Sequence, residues 1–104
     1  MPLTTKNKRR FRQIAHHLQP IVLVGDKGIT ENLQAEVTRA LFDHELVKVK
    51  INLDDRDARA EVAAELIELC GATKVQTIGK IVVMYKDNPR ANPKLSNLKR
   101  YSHT

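Results

Sequence analysis

Four consecutive residues, Gly25-Asp26-Lys27-Gly28, combine features that an oxyanion needs from a polypeptide. Glycine has no Cβ to hold a phosphate oxygen away from the backbone, and it takes positive φ where a tight turn requires it. Thr30 follows, a residue type that caps helices, and a helix begun there presents unpaired N–H groups and the positive end of its dipole. Lys27 adds a point charge. In an isolated GxxG the commoner case is a plain strand-to-helix turn that needs glycine, and Asp26 strengthens that reading because a carboxylate repels phosphate. On the anion-binding reading, Asp26 points away or caps a neighbouring N–H while Lys27 faces the ligand.

Further cations would widen such a loop into a surface. Residues 1–12 contain Lys6, Lys8, Arg9, Arg10 and Arg12 and no acid; residues 86–104 contain Lys86, Arg90, Lys94, Lys99 and Arg100 against Asp87 alone. The stretch between is mildly acidic, so the net charge of +6 sits at the two ends. Clustered Lys and Arg create a local positive potential that an evenly mixed surface cancels, which points to a polyanionic partner, although a basic end is often only a solvated end. Lys48 and Lys50 alternate with apolar residues and project from the open face of a strand. Lysine there commonly meets solvent alone. Joined to Lys27, Lys80 and the N-terminal cluster, they would form one basic surface with salt-dependent affinity for phosphate.

Other chemistries find little support. Phe11, Phe42 and Tyr85 fit apolar stripes or strand positions and are assigned to the core, so an aromatic sheet that reads bases is not expected. Tyr101, in the basic C-terminal segment, is the aromatic placed to stack on a base. His16, His17, His44, His103 and Cys70 lack metal-ligand spacing, Ser96 and Ser102 have no positioned base, and no Gly-rich nucleotide motif is present. No catalytic residue, metal or cofactor is expected. A lone cysteine, no export signal and no long apolar run suit a monomer of the cytoplasm without a membrane span. Two alternatives stay open: a small enzyme or binding protein that uses the loop for a phosphorylated metabolite or nucleotide, and an adaptor whose basic ends meet acidic proteins.

The elements that must position these residues follow from periodicity. The 104 residues, 41% hydrophobic and 29% charged, suit one folded domain. Phe11, Ile14, Ala15 and Leu18 share one stripe of a first helix, capped by Thr4 or Thr5, whose cations crowd the positive end of its own dipole. Gln19-Pro20 ends it. Ile21 to Val24 reads as a strand buried on both faces. A second helix runs from Thr30 to about His44 with Leu33, Val37, Ala40 and Leu41 inward. Leu46 to Leu53 alternates as a half-buried strand. Asp54, Asp55 and Asp57 open a third helix that turns Ala58, Val62, Leu66 and Leu69 inward and stops at Gly71. Val75–Ile78 and Ile81–Tyr85 form a hairpin about Gly79-Lys80. Asp87 to Thr104 reads as a mobile or loosely docked tail. The order αβαβαββ gives an α/β fold, a mixed four-stranded sheet packed with three helices; strands joined through helices run parallel, and the hairpin adds one antiparallel pair.

Three segments, PIVLVGDKGIT (20–30), DHELVKVKI (43–51) and QTIGKIVVMY (76–85), resemble the chloroplast RNA splicing and ribosome maturation (CRM) domain in its stand-alone bacterial form, the YhbY family. The likeness covers roughly residues 3–86. It implies a fold similar to the C-terminal domain of translation initiation factor three, RNA binding without catalysis, and, for bacterial members, association with precursors of the large ribosomal subunit and their ribosomal RNA. The family's GxxG loop maps onto Gly25 and Gly28, and its basic surface onto Lys27, Lys48, Lys50 and Lys80. Its basic first helix corresponds to Lys6, Lys8, Arg9, Arg10 and Arg12. Asp26 is an acidic departure within the loop. On this reading residues 1–86 are the CRM-like RNA-binding domain, and 87–104 are a basic tail whose role rests on charge alone.

Overall fold

The computed structural model describes residues 3–101. Its elements are α1 (Thr5–Ala15), β1 (Pro20–Val24), α2 (Glu31–His44), β2 (Leu46–Ile51), α3 (Arg56–Cys70), β3 (Thr73–Ile78), β4 (Ile81–Tyr85) and a short α4 (Asn97–Arg100). Each long helix starts on a side-chain cap. Thr4 Oγ1 accepts from Asn7 N at 3.1 Å, Thr30 Oγ1 from Leu33 N at 3.1 Å, and Asp55 Oδ1 from Asp57 N at 2.9 Å. These bonds satisfy donors that a helix start leaves unpaired. Helix α3 ends on Gly71 in the left-handed conformation, φ +65°, with Ala72 N bonded to Ile67 O at 2.9 Å, a Schellman closure.

The sheet order is β1-β2-β4-β3. β1 pairs parallel to β2, while β4 is antiparallel to both β2 and β3, so there are two antiparallel pairs where the hairpin alone promised one. The reason lies in β4. Val82 and Met84 fill one core and Val83 the other, with Tyr85 packed against it, so this strand gains most from an interior place. Helices α2 and α3 cover one face of the sheet, burying Val37, Ala40, Leu41, Ala63, Leu66 and Cys70 on Val22, Val24, Val49 and Ile51. On the opposite face, Phe11, Ile14 and Ala15 of α1 pack on Leu46, Val75 and Val83.

Three further expectations are corrected. β1 is an edge strand, and Ile21 and Leu23 are 45% and 58% exposed; an apolar run does not reveal whether a second face will be covered. Helix α3 buries Ala63, Leu66 and Cys70 and leaves Leu69 exposed, because Ala60, Ala64 and Leu69 put apolar residues on its outer side too and periodicity alone cannot select its inner face. Phe42 is exposed on α2 rather than in the core.

Residues 87–101, for which the sequence left a mobile or a loosely docked tail open, lie against the domain. Glu45, only 3% exposed and at φ +61°, accepts from Ser96 Oγ at 2.8 Å and from Asn88 N at 2.9 Å. Asn97 Nδ2 donates to Leu46 O at 2.7 Å, while Leu98 and Tyr101 pack beside the core under α1. Buried polar residues fasten this segment, and such residues look like surface in a sequence. Ser102, His103 and Thr104 lie outside the described residues.

Candidate nucleic-acid interface

The loop after β1 is a four-residue turn closed by Gly28 N donating to Gly25 O at 3.0 Å, with Asp26 and Lys27 exposed at its tip. Its two glycines differ. Gly28 has φ +67° and is required by the backbone. Gly25 has no such φ, and a Cβ there would meet no atom within 4 Å, so nothing in the fold demands glycine at that position. What Gly25 supplies is bare backbone facing open space. The Asp26 carboxylate accepts no hydrogen bond among the described residues, so it does not cap a neighbouring N–H. Glu31 occupies the first turn of α2, where it already complements the dipole.

Two more loops meet this one at the same end of the sheet. Asn52 N donates to Val24 O at 2.8 Å and Ile51 N to Lys80 O at 2.7 Å, so the β3–β4 turn and the segment after β2 stand beside the end of β1. Lys80, expected to add to the basic surface, forms a surface ion pair: its Nζ lies 3.0 Å from Asp54 Oδ1 and 3.4 Å from Asn52 Oδ1. The hydrogen bond from Lys80, and then its charge, hold the Asp54 carboxyl below its ordinary range.

Lys48 and Lys50 alternate with Val47, Val49 and Ile51, which enter the α2/α3 core, so both lysines lie on the α1 face. Lys6, Lys8, Arg9 and Arg12 are exposed on α1 itself; Arg10 is half-buried, with Nη2 3.5 Å from Leu98 O. Neither α1 nor any of the four strands contains an acidic residue. The opposite layer is the reverse: α2 and α3 carry Glu31, Glu36, Asp43, Asp57, Glu61, Glu65 and Glu68 against Arg39, Arg56 and Arg59. Folding thus sorts a mixed chain into one cationic and one acidic face.

Tyr101, expected as a stacking residue, packs against the core cluster under α1, and its ring lies parallel to His17 at 5.7 Å with the Arg100 guanidinium 5.6 Å away. Sequence reasoning did not single out Ile21, Leu23 and Ile78 as surface residues. No signal in the sequence marked them, because the edge positions of β1 and β3 depend on pairings between distant segments.

The family model of the CRS1/YhbY (CRM) domain matches residues 3–86. The chain belongs to this family. The CRM match spans α1 through β4, the whole sheet and both of its helical layers except α4. A probable RNA-binding protein of Pseudomonas aeruginosa is 44% identical over 102 residues, covering 98% of each chain. An RNA-binding protein of Haemophilus influenzae is 40% identical over 93 residues, covering 89% of this chain and 94% of that one. Among solved structures, that of a hypothetical Staphylococcus aureus protein described as a candidate RNA-binding protein superposes with TM-score 0.75 at 34% identity, covering 88% of this chain and 95% of that one. The CRM domain here therefore shares its fold with that neighbour. No helix among the described residues is long and apolar enough to cross a membrane.

Proposed function

We propose that this protein binds RNA without catalysing a reaction on it, and that its target is ribosomal RNA in precursors of the large ribosomal subunit, whose assembly it assists. The observation that carries the reading is the α1 face, where Lys6, Lys8, Arg9, Arg12, Lys48 and Lys50 share one side of a sheet whose strands hold no acid. Such a surface attracts a phosphate backbone and releases its counterions. Lys27 and the bare backbone at Gly25 supply a contact at the rim. The relatives named as RNA-binding proteins support the same class of ligand.

Crosslinking in cells, sequencing of the bound RNA and sedimentation on a ribosome gradient test the target. Enrichment of large-subunit ribosomal RNA in pre-ribosomal fractions is expected, and absence from all ribosomal fractions would leave generic RNA binding only. The double variant Gly25→Asp/Lys27→Glu adds negative charge to the turn without touching the core. It should abolish binding with the fold intact, and unchanged affinity removes the loop from the interface.

A further inference from the structure

We infer that the uncovered half of the sheet on the α1 side is a platform for unpaired bases, so that the bound RNA is single-stranded where it crosses the protein. This rests on the RNA-binding reading and narrows it. The strand registers place Leu23 opposite Lys50, Lys50 opposite Ile81 and Ile81 opposite Ile78, one row across all four strands. Register partners point to the same side of a sheet, and here that side is the one opposite α2 and α3. Leu23 is 58% exposed and Ile78 50%, so the two ends of the row are open to solvent, and Lys50 between them is exposed.

Single exposed apolar side chains are ordinary, but a row fed by three strands forms a patch, and patches mark contact sites. Its occupant is set by its composition and place. A duplex offers phosphates and sugar hydroxyls, which gain nothing from leucine and isoleucine; unpaired bases offer flat apolar faces that do. Lys50 lies within the row, able to lay its stem on the apolar surface and reach a phosphate with its amine. The outer strands stand about 14 Å apart, room for two or three bases. Leu23 is followed closely by the Gly25 turn, and Ile78 abuts the Gly79-Lys80 turn, so a strand gripped at the loop leads directly onto the row. A protein partner would have to bury Lys48 and Lys50 against acids of its own, whereas RNA brings its phosphates with it.

The test compares a labelled single strand of mixed sequence, about ten nucleotides long, with the same strand annealed to its complement. For Leu23→Ser/Ile78→Ser, affinity for the single strand should fall about tenfold, with its salt dependence unchanged because no charge is lost, and affinity for the duplex should hold. In the wild-type protein, the methyl resonances of Leu23, Ile78 and Ile81 should shift on titration with the single strand and stay in place with the duplex. A variant that binds the single strand as wild type does, or silent methyls, overturns the platform while RNA binding stands. If the wild type sediments as a dimer that the variant does not form, a second copy covers the row and the platform is overturned. Wild-type protein that binds neither RNA removes the RNA reading itself.

Discussion

Gly25 and Gly28 bracket one turn for different reasons, and substitution by alanine separates them. At Gly28 the φ of +67° is costly for any residue with a Cβ, so Gly28→Ala should lose about 1–2 kcal/mol of stability, visible as a lower Tm. At Gly25 the backbone is ordinary and the space is empty, so Gly25→Ala should leave Tm unchanged and weaken RNA binding through the methyl it inserts under the phosphate. A Gly25→Ala protein with full affinity would mean that RNA does not approach that backbone. Lys80 poses the opposite question. Its amine is held by Asp54, whose carboxyl is depressed below 3.8, so the pair is intact at neutral pH and is lost only as pH falls through that lowered value. Asp54→Asn should free the amine, raise RNA affinity at low salt and steepen the salt dependence by up to about one phosphate contact. Identical binding curves would show that Lys80 stands outside the RNA path.

At the scale of elements, the segment from Asn88 to Arg100 is fastened to the domain by Glu45, a residue at positive φ between α2 and β2. Glu45→Ala leaves the Ser96 hydroxyl and the Asn88 N–H without their acceptor and should cost about 2 kcal/mol or more by urea denaturation. Hydrogen exchange should quicken across Ser96 and Asn97 while the amides of β2 and β4 stay protected. Uniform exchange in variant and wild type would show that the clasp does not hold the segment. This clasp was illegible in the sequence, as Glu45, Ser96 and Asn97 are polar and no periodicity marks them as buried. The strands and long helices were legible, because Val37, Ala40 and Leu41 on α2, and Lys48 and Lys50 on β2, follow local periods. Strand order was not. The placement of β4 between β2 and β3, and of β1 at an edge, depends on pairings between segments far apart in the chain.

For the molecule as a whole, the segmental charges could be read from the sequence, but not the sides on which they would land. The sheet decides that, by turning Lys48 and Lys50 toward α1 and setting the acids of α2 and α3 behind it. Net charge and facial charge make different predictions, and equal substitutions on the two faces tell them apart. Lys48→Ala/Lys50→Ala removes two cations from the α1 side. Arg56→Ala/Lys74→Ala removes two exposed cations from the other side, where Arg56 opens α3 and Lys74 pairs with Met84 of the α2/α3 core. Each variant lowers the net charge from +6 by the same amount. If long-range attraction by total charge governed binding, the two would lose affinity together. If phosphates lie on the α1 face, the first variant should lose affinity and flatten the plot of log affinity against log salt by about two contacts, while the second keeps the wild-type slope. Equal slopes for the two variants would place the RNA elsewhere, and a flattened slope for the second alone would put it on the α3 side.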